Sequence, residues 1–591
     1  MSTLLRVLLF GAITYAQFVT PPDDLVEAIG HAGVSVRYKQ VPDGICELDH
    51  RVKSYSGFAD IAEDQHIFWW FFEARNGHPE DSPLTIWING GPGSSSMTGL
   101  FAELGPCSID YFGSVVNNPY SWTNSSNMLF VDQPSQVGFS YSQPVPVHDD
   151  DGRLTILQEN TCPGGVSEES TCGTYSHPEP SMTANSTLNA APAFWKTLQG
   201  FTGVFPQYSK NGLHMATESY GGHFGPVFAA YIEQQNDLNL PGSNKLQLET
   251  LLVGNGWFDP AIQFQAFYNF TVNPGNTYDY FPFNGSMETL LYDNLYGSGH
   301  CLDQLEHCKL SGLDSVCVAA DNFCMEHVED MYHQAVSRDV YDIRELTPDP
   351  FPSQFHVDYL NTAKVQQGIG AYTNFSTFSH TVYQTFRETG DDAREVDTIR
   401  DIQFLLNRNI TVSIYAGDAD YDCNWIGVEA VAEEVMAGQF DEAGYGDLQT
   451  FDNVVHAQVK QSGRFSFTRV YESGHMVPFY QPLTALTIFD RAINGMDIQT
   501  GALTVDNHYL SSGSKKSTYR EGNTTVQWTT IPVNVTYDSA KNMPGEPWTV
   551  SETLPTDSEY FRFYPLQNNS LGSDRSTWRL LLQYILYLFY S

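Results

Sequence analysis

One stretch limits the possible folds more than any other: "LHMATESYGGHFGPVFAAYIEQQ", residues 213–235. A short apolar run breaks into a glycine-rich turn around Ser219, then resumes with apolar residues at helical spacing. A strand–turn–helix unit of this kind lifts the serine above a sheet and sets it at the N-terminus of the next helix. The usual elbow is G-x-S-x-G; here it reads Thr217-Glu218-Ser219-Tyr220-Gly221, with threonine at the first glycine position. Alone, the pattern also suits an ordinary glycine turn, so the other segments decide.

Similar alternation runs through much of the chain. "HIFWWFFEA", "LTIWING" and "NMLFVDQP" read as strands between residues 66 and 134, and "NAAPAFWKTLQGFTGVFP" as the helix leading into the elbow. Later come the strands "ITVSIYAGDAD" and "FSFTRVYESGH" and the helix "PLTALTIFDRAING". Strands alternating with helices predict an α/β fold, a mostly parallel sheet covered on both faces. Residues 143–182 read as loop, and about 235–350 as a less regular cap inserted between core elements. The core is expected over 17–510, followed by a Ser/Thr/Asn-rich extension, 511–570.

Arg6 before "VLLFGAITYA", with a small-residue site ending at Ala16, reads as a secretory signal over 1–16. Sequons at Asn124, Asn185, Asn269, Asn284, Asn374, Asn409, Asn523, Asn534 and Asn568 agree with a glycosylated extracellular chain. The apolar tail, 571–591, is short for a membrane span; with Gly572 and Ser573 before it, it partly matches a GPI-addition signal. The net charge of −40 excludes nucleic acid and anionic membranes as natural partners, and suits a low-pH setting where carboxylates lose charge.

Nine cysteines in an oxidising compartment leave at least one thiol over. Cys301, Cys308, Cys317 and Cys324 are nested, so 301–324 with 308–317 is the simplest pairing; Cys162 and Cys172 flank one loop. Cys46, Cys107 and Cys423 remain, and spacing does not fix their connectivity. The nested set lacks a C-x-x-C, so zinc is not expected, nor is any other metal or cofactor.

A nucleophilic serine needs a base, and the base an orienting acid, here in the chain order Ser, Asp, His. "YAGDADYDCNW" offers Asp418, Asp420 and Asp422, and "YESGHMVPF" offers His475, both at the carboxyl ends of expected parallel strands. In "WINGGPGSSS", Asn89 to Gly93 form a loop whose backbone can approach a substrate closely. Its N–H groups, with that of Tyr220, suit an oxyanion hole.

Together "NGGPGSSS", "ESYGG", "GDADYDCNW" and "GHMVPF", with "NNPYSW" and "FVDQPSQVGFSYS", resemble the signature blocks of the serine carboxypeptidase family, most like its fungal S1-type members. The resemblance spans about residues 50–500 and implies an α/β-hydrolase fold. It implies Ser219 as nucleophile, His475 as base, Asp420 rather than Asp418 as acid, and Gly91 with Tyr220 as the oxyanion hole. It also implies that Trp87, Asn89, Gly90, Glu103 and Glu218 bind the substrate carboxylate, and that Cys423, a free thiol, and Met476 lie by the substrate. Ser94 departs from the pattern, standing where many members have a bonded cysteine, which leaves the pairing of Cys46 and Cys107 open.

The implied substrates are peptides with a free C-terminus, cut at acidic pH through an acyl-enzyme. Neighbouring carboxyls cannot all ionise cheaply, so a protonated glutamate can donate to the substrate carboxylate. The alternatives are an acyltransferase or esterase on the same scaffold.

Overall fold

The apolar run at residues 66–72 divides itself between two cores. Phe68, Trp70 and Phe72 sit in one buried cluster, Trp69 and Phe71 in the other, the period of two that a strand imposes. Burying one such phenylalanine contributes about 1.5–3 kcal/mol. The structure, a computed structural model, describes residues 18–529 except 151–152, 164–170, 350 and 395, together with the backbone of the pair Tyr537–Asp538 and Met543–Pro544. These residues belong to the unit Met1–Glu546; the expected signal, the tail, Asn534 and Asn568 lie outside the described residues.

The central sheet has twelve strands. In chain order they are β1 (Val26–Ile29), β2 (Ser35–Gln40), β3 (Ser54–Ala62), β4 (Gln65–Phe72), β5 (Leu84–Ile88), β6 (Asn127–Val131), β7 (Leu213–Glu218), β8 (Leu248–Gly254), β9 (Thr411–Gly417), β10 (Gly446–Gln449), β11 (Val455–Ser462) and β12 (Phe465–Val470). Across the sheet the order is β1-β2-β3-β4-β6-β5-β7-β8-β9-β12-β11-β10. The centre, β6 to β12 in that order, is parallel, and the flanks are antiparallel. Helices α1 (Thr187–Val204) and α2 (Gly221–Leu238) cover one face through Phe194, Phe201, Phe224 and Phe228. Helix α3 (Pro482–Ile493) covers the other through Ala485, Ile488 and Phe489. This is the expected α/β-hydrolase fold.

Three segments differ from what the sequence leads one to expect. The stretch 143–182 folds into a three-stranded antiparallel sheet, Pro144–Asp150 pairing with both Arg153–Ile156 and Thr171–Ser176. Its Pro and Asp content reads as loop, because pairing across a long connection leaves no local signature. The range 235–350 contains β8, a core strand; the insertion lies between β8 and β9 and is largely helical. Within it, helices Cys301–Ser311 and Asp314–Cys324 are joined by disulfides Cys301–Cys324 and Cys308–Cys317. Finally, the core continues past 510. Arg469 donates to Ser517 Oγ (2.9 Å) and the Tyr519 carbonyl (3.0 Å), Gln527 N–H donates to the Arg344 carbonyl (2.7 Å), and Val526 is buried.

Cys162 is joined to Cys172, and Cys46 to Cys107, leaving Cys423 free and buried. At Ser94 the chain forms a backbone bridge with Phe378 instead.

Candidate active site

Strand β7 ends at Glu218 and helix α2 begins at Gly221, so two residues make the whole turn. Ser219 takes a left-handed backbone (φ 64°), uncommon for a residue with a side chain and a mark of local strain held by its surroundings. It is half-buried, while Thr217, Glu218, Tyr220 and Gly221 are buried, so the turn presents Ser219. Thr217 fits because Gly221 has no side chain: a Cβ there would lie 1.9 Å from Thr217 Oγ1.

The glycine loop after β5 closes over this turn. A Cβ on Gly90 would lie 2.4 Å from the Tyr220 nitrogen and 2.9 Å from Ser219 Cβ, so only glycine permits the approach. Gly91 is left-handed (φ 113°). Buried Asp132 at the end of β6 holds the loop from behind, accepting from Ser95 Oγ (2.7 Å) and the Ser96 N–H (2.8 Å). Ser96 Oγ in turn accepts from the Asn89 N–H (3.1 Å).

The loops after β9 and β12 deliver the acid and the histidine. They pack tightly: a Cβ on Gly417 would meet the Gly474 carbonyl at 2.1 Å. His475 Nδ1–H donates to Asp420 Oδ2 (2.7 Å), and both residues are buried. Burial works against charging the imidazole, but Asp420, Asp422 and Glu103 outweigh it and hold the His475 pKa above its usual value. Asp420 Oδ1 accepts the Asp422 N–H (3.0 Å). Asp418 faces elsewhere, accepting from Tyr278 Oη (2.7 Å). Met476 follows His475 and is half-buried.

The donor atoms of Asp420, Cys423 and His475 lie within 4.8 Å of one another, a spacing a metal can bridge. Here Asp420 and His475 spend those atoms on each other, and burial with Asp422 and Asp420 nearby pushes the Cys423 thiol well up, towards its protonated form. A protonated thiol is a poor ligand.

Beside the elbow, Trp87 Nε1–H donates to Asn89 Oδ1 (2.7 Å), and the Asn89 amide reaches Glu218 Oε1 at 3.5 Å. Glu103 enters from a π-helical turn, Gly99–Leu104, whose Gly99 N–H also donates to Asn89 Oδ1 (3.1 Å). Burial raises the pKa of Glu103; burial and then the charge of Glu103 raise that of Glu218 much further. The two carboxyls hydrogen-bond each other, which takes a proton shared between them, and Asn89 is the amide donor beside them.

The serine carboxypeptidase sequence profile matches residues 44–495. The chain belongs to the serine carboxypeptidase family. It is 38% identical over 537 residues to a carboxypeptidase S1 homolog A of Arthroderma otae, covering 83% of this chain and 81% of that protein. It is 37% identical over 469 residues to a carboxypeptidase S1 of Penicillium janthinellum, covering 77% of this chain and 99% of that one. Among solved structures it resembles Kex1(delta)p, a prohormone-processing carboxypeptidase from Saccharomyces cerevisiae, with a TM-score of 0.61 and 22% identity over 77% of this chain and 95% of that one, a likeness of fold. The chain is thus a serine-type carboxypeptidase, a hydrolase acting on peptides.

Sequence reading missed the devices that hold this family's site together here: Asp132, and Asn255 just after β8, whose amide donates to Asp420 Oδ2 (2.7 Å). Asp132 lies in the block "FVDQPSQVGFSYS" with no role assigned to it, and Asn255 shows only as a polar residue directly after a strand. Of the sequon residues, Asn284, Asn409 and Asn523 are exposed and Asn124, Asn185 and Asn269 half-buried. Asn374 is buried, its Oδ1 accepting the Thr174 N–H (2.9 Å). Among the described residues no helix is long and apolar enough to cross a membrane.

Proposed function

We propose that this carboxypeptidase works through Ser219, His475 and Asp420, with Gly91 and Tyr220 N–H groups as its oxyanion hole. The observation that carries the reading is the 2.7 Å bond from His475 Nδ1 to Asp420 beside the elbow. With Nδ1 committed, Nε2 is the nitrogen left to take the Ser219 proton. Ser219 Oγ then attacks the last peptide carbonyl, and the oxyanion is stabilised by the two N–H groups. The amine leaves with the proton from His475, and water repeats the sequence on the acyl-enzyme.

Glu103 and Glu218 make the enzyme an exopeptidase. Asn89 and a protonated glutamate donate to the substrate's terminal carboxylate, with Trp87 orienting Asn89 and Gly90 lying alongside. This donation requires acidic pH, because both glutamates repel the carboxylate once ionised. Cys423 and Met476 flank the leaving residue. Four disulfides and exposed sequon residues support a secreted glycoprotein whose expected signal is removed; the tail adds the option of a surface anchor.

Treatment with a serine-directed organophosphate tests the reading. Mass spectrometry is expected to find the adduct on Ser219 and the stepwise release of C-terminal residues abolished. An adduct elsewhere, with release intact, would contradict it.

A further inference from the structure

Residues 254–257 touch the nucleophile and the acid at once. The Gly254 carbonyl accepts the Ser219 N–H (3.1 Å), and the Trp257 N–H donates to the Ser219 carbonyl (2.8 Å), so this turn clamps the elbow on both sides. Between those contacts stands Asn255, fully buried, with a left-handed backbone (φ 38°) that asparagine tolerates better than most residues. Its backbone N–H donates to the Tyr415 carbonyl on β9 (2.8 Å). Its side chain spans the rest of the gap: Oδ1 accepts the Gly417 N–H (3.1 Å), and Nδ2 donates to Asp420 Oδ2 (2.7 Å), the oxygen that also holds His475.

We infer that Asn255 is a positioning residue for the reaction: its amide fixes the Asp420 carboxylate in the plane that His475 needs and sets the acid's loop in register with the serine's turn. An amide serves both neighbours at once. An aliphatic residue leaves the Gly417 N–H buried without its acceptor and leaves Asp420 Oδ2 to His475 and the longer bond from the Cys423 N–H (3.3 Å), which do not hold the carboxylate from the Asn255 side. A misplacement of about 1 Å among groups that orient the reacting atoms can cost about 100-fold in rate without any contact to substrate. The inference rests on the catalytic assignment above, and its test separates the two.

Two variants probe it against a short peptide with a free C-terminus. Asn255→Gly keeps the left-handed backbone and removes only the side chain. It is expected to lower kcat by up to about 100-fold with KM unchanged, because the residues proposed to bind the substrate carboxylate are untouched. Asn255→Asp sets a second buried carboxyl against Asp420, and the two share one proton rather than both ionise. While that proton is held the donor to Asp420 is kept, so kcat relative to the parent is expected to be highest in acid and to fall as pH rises and the proton is lost. Wild-type kcat in Asn255→Gly, a rise in KM matching the fall in kcat, or a kcat of Asn255→Asp relative to the parent that does not change with pH would each overturn the positioning role. If wild-type Ser219 takes no organophosphate, or Asp420→Asn keeps its kcat, the catalytic assignment itself has failed.

Discussion

Glu218 is the residue on which pH acts most directly, since it adjoins Ser219 in sequence and shares a buried space with Glu103. Replacing it by glutamine removes one titration and keeps a donor. Glu218→Gln is therefore expected to hold its peptide KM at neutral pH, where the parent's KM has climbed. Asp420→Asn leaves the geometry but favours the wrong imidazole tautomer, and a loss of kcat on the order of 10⁴ is expected in steady-state assays. At Asn374 the side chain is buried and bonded in the folded chain, so glycopeptide mapping is expected to find it unmodified, in contrast to Asn284 and Asn409. A glycan on Asn374 would mean that this corner folds differently. Such residues show what sequence can convey. Ser219, Asp420 and His475 are legible because each sits at a strand end within a distinctive block. Asn255 carries no chemistry of its own, and the buried state of Asn374 depends on Thr174, 200 residues away in sequence.

Among the elements, the parallel centre of the sheet was readable, because β5, β6, β7, β9 and β12 are apolar runs bounded by turn residues. Strand β8 is equally apolar, "LETLLVG", yet it stands beside an irregular stretch and merges with it on reading. The segment 514–529 was misread for a different reason. Its Ser, Thr and Lys suggest solvent, but buried arginines reach out to its backbone: Arg338 to the Gln527 carbonyl (2.6 Å) and Arg469 to that of Tyr519 (3.0 Å). Arg469 also lies over the Trp425 ring (3.8 Å) and 3.6 Å from buried Asp418. Removing one member of a buried charged pair leaves the other uncompensated. Arg469→Met is thus expected to lower unfolding free energy by about 3–5 kcal/mol in denaturant titrations. A change below about 1 kcal/mol, as for surface pairs, would show that the segment is held by other contacts.

For the whole molecule, the surplus of carboxyls becomes a statement about pH. Burial pushes Asp132 up to about 6, Asp401 up to about 7 and Asp349 up to about 8, and holds Glu218, Glu329 and Asp392 well above the usual range. A carboxyl whose pKa is raised by folding lends stability that is complete below its unfolded value, near 4, and is lost as pH rises through the folded value. His214 and His356 oppose this. Burial lowers both to about 4, so they lend stability above their unfolded value of about 6.5 and lose it as pH falls towards 4. The acids outnumber them, and above pH 6.5 nothing from these histidines compensates. Thermal unfolding midpoints are therefore expected to be highest in mildly acidic buffer and to fall steadily towards pH 8; a midpoint that rises over that interval contradicts the burial of these groups. The proposed grip on the substrate's terminal carboxylate has the same sign, since it needs a proton on the Glu103–Glu218 pair. The direct measurement is KM from about pH 4 to 8 for a peptide and for its C-terminally amidated twin. KM is expected to climb with pH for the free peptide and to stay nearly level for the amide; parallel curves for the two substrates would contradict the role given to the paired glutamates.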